Sequence, residues 1–129
     1  MAYPELIGTV IDAVHARQVA NFWGELLGLR YRRGDEPPLE GEPDPRADDW
    51  LVLCDDGGRA KLAVQAVDEL PAVTWPDPDV PQQLHLDLMV PSKEELAAQR
   101  ERVVNRLDQM VDDLDAWRMQ AALLGRESD

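Results

Sequence analysis

The chain has 129 residues, 44% of them hydrophobic, and this length and composition predict one domain with its own apolar core. Its 26 acidic and 13 basic residues leave a formal net charge of −13, which repels phosphate backbones and anionic membranes and excludes them as expected partners. The single cysteine, Cys54, cannot form an intramolecular disulfide, and the N-terminal part lacks the pattern of a signal peptide, so a cytoplasmic protein is expected.

The first elements alternate between strand and helix patterns. Residues 6–13 are rich in β-branched side chains and predict a strand, and residues 29–33 predict a short strand with a basic outward side. Between them, apolar residues repeat at helical spacing, and Gly28 stands where a left-handed cap is expected. The apolar stripe of this helix consists of Val19, Phe22, Trp23, Leu26 and Leu27.

A proline-rich acidic loop, residues 34–49, leads to a predicted hairpin. Residues 50–54 and 60–67 have strand patterns and flank the turn sequence DDGGR. Cys54 ends the first of these strands, where a small buried hydrophobic residue is expected more than a nucleophile. The first half therefore has the order strand, helix, strand, strand, strand.

A second proline-rich connector, residues 68–83, runs into an alternating stretch over residues 81–90. This alternation predicts a strand with an apolar face and a polar face, and the polar face carries both His85 and Asp87. The pair is either part of a ligand site or a histidine hydrogen-bonded to a neighbour. The apolar face would consist of Leu84, Leu86, Leu88 and Val90.

The last third predicts a long helix. Ser92 and Glu95 have the spacing of a capping box, and Gly125 is a natural end. Asp112 and Asp113 are good first residues for a second helix, so one helix or two remain open. Apolar residues along this stretch repeat every three or four positions as in a heptad seam. The seam consists of Val103, Leu107, Met110, Leu114, Trp117, Ala121 and Leu124.

Three segments of the chain resemble a known family. They are IDAVHARQVANFWGELLGLRY, WLVLCDDGGRAKLAVQAV and WPDPDVPQQLHLDLMV. Together they are similar to the glyoxalase-like proteins of the vicinal oxygen chelate superfamily, which includes glyoxalases, extradiol dioxygenases and bleomycin-resistance proteins. The resemblance covers residues 5–90 and implies an α+β fold built from βαβββ units that form a cup. A first unit, residues 5–68, and a partial second unit with a long C-terminal helix, residues 83–125, would make one domain over residues 1–129.

The resemblance also implies where metal-dependent members bind a divalent ion. His85 matches the ligand position on the first strand of the second unit, and Gln65 lies near the position on the fourth strand of the first. The position on the first strand falls at Gly8, which has no side chain, and the last strand of the second unit is absent from the sequence. Asp87 could ligate the ion or orient His85. Because His85 and Gln65 alone would hold a divalent ion poorly, no cofactor is expected.

Two tryptophans, Trp50 and Trp75, fall where the rim of a cup would lie, and they either stack on a flat ligand or anchor their loops. With Gln65, His85 and Asp87 they form the predicted ligand-binding set. Three functions stay open: a metal-free protein that binds a small aromatic or cationic molecule, which fits most residues; a metal-dependent lyase or dioxygenase; and a domain that associates through its C-terminal helix. The incomplete second unit and the heptad seam predict a homodimer, and the alternative for the seam is a helix that packs on its own sheet.

Overall fold

The computed structural model describes residues 2–81 and 85–109, and it divides the chain into two compact units, Met1–Leu70 and Pro71–Asp129. The first unit contains a four-stranded sheet, one helix and a short 3-10 helix, and the second contains a longer helix. The elements are β1 (Thr9–Ala13), α1 (Ala16–Leu27), β2 (Arg30–Tyr31), the 3-10 helix (Pro45–Asp48), β3 (Trp50–Cys54), β4 (Ala60–Ala66) and α2 (Lys93–Asp108).

The sheet of the first unit has the strand order β1-β4-β3-β2. β1 runs parallel to β4, while β4, β3 and β2 are antiparallel neighbours. A parallel pair requires a crossover between its strands, and the chain makes that crossover with α1 and the β2-β3 connection. The predicted α+β fold, a βαβββ unit followed by a long C-terminal helix, is confirmed.

The helix α1 forms because its apolar residues lie on one side. Val19, Phe22 and Trp23 are buried, whereas Leu27 at the end of the stripe is 37% exposed. Gly28 adopts the left-handed conformation with φ of 68°, and its N–H donates to a carbonyl in the last turn, so the predicted cap is confirmed.

The core of the first unit lies between α1 and one face of the sheet. Leu51, Leu53 and Val64 are fully buried on that face. A Cβ placed on Gly24 of α1 would lie 3.6 Å from Leu53 Cδ2, which shows how closely helix and sheet approach. Burial of each such side chain contributes about 1.5–3 kcal/mol, so this layer supplies most of the apolar stabilisation.

Two strands are shorter than their sequence patterns predict. β1 begins at Thr9 rather than at residue 6, and Leu6 and Ile7 before it are 92% and 70% exposed. Its pairing starts opposite Leu62, next to a register shift in the β3-β4 hairpin. β2 has only Arg30–Tyr31 of the five residues predicted. Beyond it, the Asp35 side chain accepts the Val52 N–H of β3 in place of a strand backbone.

In the second unit, residues 85–90 form neither helix nor strand, so the predicted strand over residues 81–90 is not formed there. Alternation of side chains predicts which residues would share a face, but a strand also needs a hydrogen-bonded neighbour. The described residues of the second unit, 71–81 and 85–109, contain no strand that could provide one. Leu84 lies outside the described residues.

The helix α2 begins at the predicted cap. Ser92 accepts a hydrogen bond from the Glu95 backbone N–H at 3.1 Å through its side chain. Of the predicted seam, Leu107 is buried and Val103 is half-buried. The rest of the seam, and the choice between one helix and two, lie outside the described residues. In the part of the chain that the structure describes, no helix is long and apolar enough to cross a membrane.

Candidate functional site on the sheet

A row of three side chains crosses the sheet face that points away from α1. Asp12 of β1 pairs with Gln65 of β4, and Gln65 pairs with Trp50 of β3. Directly paired residues project from the same face of a sheet. Leu53 faces α1, and residues alternate along β3, so Trp50 and its two partners lie on the opposite side. We call this side the distal face and the three residues the polar row.

Next to the polar row, the distal face is apolar. Val52, Cys54 and Ala63 are buried and form a cluster against which Trp50 and Ala60 pack. Cys54 is therefore a small buried hydrophobic residue, as its place in the strand predicted. The apolar cluster and the Trp50 indole together form a surface that suits a flat, apolar molecule.

Two arginines border the distal face on its β2 side. Arg30 pairs with Cys54, and the Arg32 N–H donates to the Val52 carbonyl at 2.8 Å, which continues the same register. The Arg30 side chain is 80% exposed and lies 3.8 Å from Asp56. The distal face is thus bordered by a carboxylate on β1 and by two guanidinium groups, one on β2 and one directly after it.

Behind this arginine border lies a buried carboxylate, Asp35, which is 1% exposed. Its Oδ2 accepts the Val52 N–H at 2.9 Å, so the side chain replaces the backbone that β2 would otherwise supply. Arg32 Nη2 lies 3.2 Å from Oδ2, and Arg46 Nε lies 3.7 Å from Oδ1. A buried carboxylate requires such partners, and the Asp35 carboxylate in turn holds the Arg32 side chain in place.

Arg17 in the first turn of α1 fastens the loop over residues 34–49. It donates two hydrogen bonds of 2.8 Å to Asp44 and one of 2.6 Å to the Asp35 carbonyl, and its guanidinium lies 4.9 Å from the centre of the Tyr31 ring. The hydrogen bonds to Asp44 raise the pKa of Arg17 and lower the pKa of Asp44. Burial raises the pKa of Tyr31, whose hydroxyl donates to Asn21 Oδ1.

The end of this loop sets the position of Trp50. The carbonyl of Asp49 accepts the Ala66 N–H at 2.8 Å, which extends the β3-β4 pairing by one bond just before Trp50. Because Arg17 anchors the middle of the loop and this bond anchors its end, the indole enters β3 in a defined register. Trp50 is half-buried.

The other predicted site residues lie in the second unit. Trp75 is half-buried in a turn that the Thr74 hydroxyl closes, accepting the Val80 N–H at 2.8 Å. His85 Nε2 lies 3.8 Å from Asp87 Oδ1, and their side chains are 46% and 70% exposed. The structure therefore brings Trp50 and Gln65 together in the first unit and His85 and Asp87 together in the second.

Comparison with known proteins gave a match to the glyoxalase-like domain family over residues 8–124. The chain belongs to the glyoxalase-like domain family. The match covers most of both units, and it agrees with the βαβββ order of the first. No curated protein and no solved structure matched the chain.

The family resemblance implied a metal-ligand position at Gly8, and the structure shows why a side chain is difficult there. A Cβ on Gly8 would lie 2.7 Å from the Lys61 carbonyl oxygen. Asp12 and Gln65 remain as neighbouring oxygen donors on the distal face. Across residues 2–81 and 85–109, no three His, Cys, Asp or Glu side chains group as a metal site. The described donor set does not fit a resident divalent ion.

Sequence reasoning missed three features of this glyoxalase-like unit. Asp12 is four residues after Gly8, so in an extended chain the two positions face the same side. Alternation from the ligand position that the resemblance implied at Gly8 could therefore have pointed to Asp12. The basic outward side of β2 was recognised, but its place beside Cys54 and Val52 depends on the register. Asp35 stands in an acidic loop without periodicity, and nothing in the sequence distinguishes it from its acidic neighbours.

Proposed function

We propose that this glyoxalase-like protein binds a small aromatic or cationic molecule on its distal face, without a divalent metal. The observation that carries the proposal is the polar row, in which Asp12, Gln65 and Trp50 are consecutive cross-strand neighbours. A carboxylate, an amide and an indole in one row offer charge, hydrogen bonding and a π surface to the same ligand.

The surroundings of the polar row support an aromatic ligand. The buried cluster of Val52, Cys54 and Ala63 adjoins Trp50, so a ring that stacks on the indole also covers apolar surface. Asp12 is exposed and stands at the other end of the row, where a cationic substituent would reach its carboxylate. Trp75, His85 and Asp87 remain predicted contacts.

Tryptophan fluorescence with benzylammonium as the probe tests the proposal. We expect saturable binding that weakens about fivefold or more in Trp50→Leu, in line with the cost of losing an aromatic contact. Cyclohexylmethylammonium, with the same charge and no aromatic ring, should bind more weakly. Trp75→Leu tests the other predicted tryptophan contact separately, and weaker binding in that variant would support Trp75 as a ligand contact.

Absence of saturable binding by benzylammonium would contradict this proposal. A lyase or dioxygenase would instead require a metal-dependent turnover that Gln65→Ala and His85→Ala abolish. A pure association domain would show neither binding nor turnover, and its mass in solution would be its defining property.

We also propose a homodimer. β1 is an edge strand whose outer edge has no strand partner among the described residues, and apolar side chains are exposed on it at Val10 and just before it at Leu6 and Ile7. The predicted heptad seam, most of which lies outside the described residues, would supply a second apolar surface. The seam is the proposed interface because its spacing suits helix pairing between two copies.

A further inference from the structure

The two borders of the distal face carry opposite charges. Asp12 lies on β1, Arg30 lies on β2 and Arg32 follows β2 in the same register, so three inter-strand spacings, about 14 Å, separate the two borders. Trp50 and the apolar cluster lie between these borders on β3 and β4. A ligand that covers the cluster therefore meets a carboxylate on one side and guanidinium groups on the other.

The arginine border carries local positive charge in a chain whose formal net charge is −13. Asp35 is the one buried carboxylate among the described residues, and two guanidinium groups, from Arg32 and Arg46, share it. Arg30 has only a 3.8 Å contact with Asp56, and both of these side chains are largely exposed, so this pair contributes little. Asp35 is thus shared by two guanidinium groups, of which Arg46 also lies 3.8 Å from the exposed Asp49 carboxylate.

The Arg32 guanidinium is held at one end only. Its Nη2 lies 3.2 Å from Asp35, while the side chain as a whole is 48% exposed. Guanidinium groups have five N–H donors, so a contact through one nitrogen leaves others available for an acceptor. An arginine oriented by a buried carboxylate binds an anionic oxygen group at a smaller entropic cost than a free one.

We infer that the ligand of the distal face carries an anionic group, a carboxylate or a phosphate, and binds with this group at Arg30 and Arg32. This inference rests on the proposed function, because it specifies the far end of the same ligand. The ring lies over Trp50 and Val52, and a cationic substituent, where present, points toward Asp12. The ligand class is then a small aromatic acid or an aromatic amino acid-like zwitterion.

Two probes with the same ring separate this inference from the proposed function. Benzylammonium carries only the cationic end, and 4-(aminomethyl)benzoate adds a carboxylate at the opposite side of the ring. Calorimetric titration of the full chain should show at least about tenfold tighter binding of 4-(aminomethyl)benzoate, equivalent to about 1.4 kcal/mol. Added salt should reduce this difference in affinity between the two probes, since the difference arises from charge pairing near the surface.

Arg30→Gln is the decisive variant because this side chain is 80% exposed, so its removal should leave the fold intact. It should remove most of the advantage of the carboxylate probe without weakening benzylammonium binding, since the lost charge repels a cation. Arg33→Gln makes the same change in net charge beside the border and should preserve the advantage. Asp56→Asn, which frees Arg30 from its carboxylate neighbour, should preserve or increase it.

Equal affinity for the two probes would overturn this inference and leave the proposed function standing. A carboxylate advantage that survives in Arg30→Gln and in the Arg30→Gln/Arg32→Gln double variant, with circular dichroism unchanged, would also overturn it. If neither probe binds, both the inference and the proposed function fail.

Discussion

Arg17 and Asp44 are 27 residues apart in the sequence and are joined by two parallel hydrogen bonds of 2.8 Å. This bidentate pair fastens the acidic loop to the first turn of α1, and the same guanidinium also holds the Asp35 carbonyl. With Asp35 bonded to the Val52 N–H, the pair connects α1 with β3 through a loop that has no regular pattern of its own. The register of Trp50 therefore depends on a contact far from it in sequence.

Removal of Arg17 should destabilise the first unit. The side chains of Arg17 and Asp44 are 13% and 23% exposed, so Arg17→Met leaves a carboxylate and a carbonyl with fewer partners, and we expect a loss of about 1–3 kcal/mol. Urea unfolding followed by circular dichroism measures it. The stability of Arg17→Lys should lie between those of the wild type and Arg17→Met, because an ammonium keeps the charge but cannot make the bidentate contact. Arg30→Met, in an exposed pair, should change stability by less than about 0.5 kcal/mol.

The pH dependence of the free energy of unfolding should reflect the Arg17–Asp44 pair. Its hydrogen bonds lower the pKa of Asp44, so the folded carboxyl has a lower pKa than the unfolded one. The stabilisation is therefore complete above the unfolded value of about 3.9 and is lost as the pH falls through the lower folded value. Hydrogen bonds from the Arg59 and Gly57 backbone lower the pKa of Asp55 and contribute in the same direction.

Asp44→Asn isolates this contribution. Between pH 5 and pH 2, the free energy of unfolding of the variant should fall less steeply than that of the wild type, and the two curves should converge at the acid end. Parallel curves over the whole range would show that Asp44 is not stabilised as a carboxylate.

Gly8→Ala should destabilise the protein although alanine is small. The new Cβ would lie 2.7 Å from the Lys61 carbonyl oxygen, so the edge strand must shift, at a cost of about 1–3 kcal/mol. Gly57→Ala is the matched control, because its Cβ would come no closer than 3.4 Å to any atom and meets only a side-chain oxygen. A thermal melt in which the two variants behave alike would contradict the close approach of β1 to the hairpin.

The protein should not retain a stoichiometric divalent metal. The expectation follows from Gly8 and from the neutral amide of Gln65, which is a weaker anchor than a carboxylate or thiolate. Emission spectrometry of protein purified without chelator and then dialysed measures the content. About one zinc, nickel, manganese or iron ion per chain, lost in His85→Ala, would favour the lyase or dioxygenase instead.

The heptad seam should hold two copies together. Burial of seam residues contributes about 1.5–3 kcal/mol each, and Leu114→Asp puts a charge among them, so the variant should sediment as a monomer with the first unit folded. Ala98→Asp, at an exposed position on the side of α2 opposite the seam, is the control and should leave the mass unchanged. A wild type that is monomeric at hundreds of micromolar would exclude the dimer.

Sequence periodicity predicted the elements whose burial is periodic. The stripe through Val19, Phe22 and Trp23 and the hairpin around DDGGR are formed as expected, because alternating or helical spacing of apolar residues directly reflects which side faces the core. The alternation over residues 81–90 had the same form, but residues 85–90 form no strand. Periodicity describes side chains, whereas a strand depends on a partner backbone.

By itself, the sequence determined the family, the βαβββ order of the first unit, the Gly28 cap and the start of α2 at Ser92. These features depend on local spacing, turn chemistry and capping, all of which are written in neighbouring residues. Only the tertiary structure decided that Asp12, Gln65 and Trp50 form one row and that Arg30 and Arg32 border it. Those neighbours are set by strand order and register, which arise from contacts between distant segments such as Arg17 with Asp44 and Asp35 with Val52.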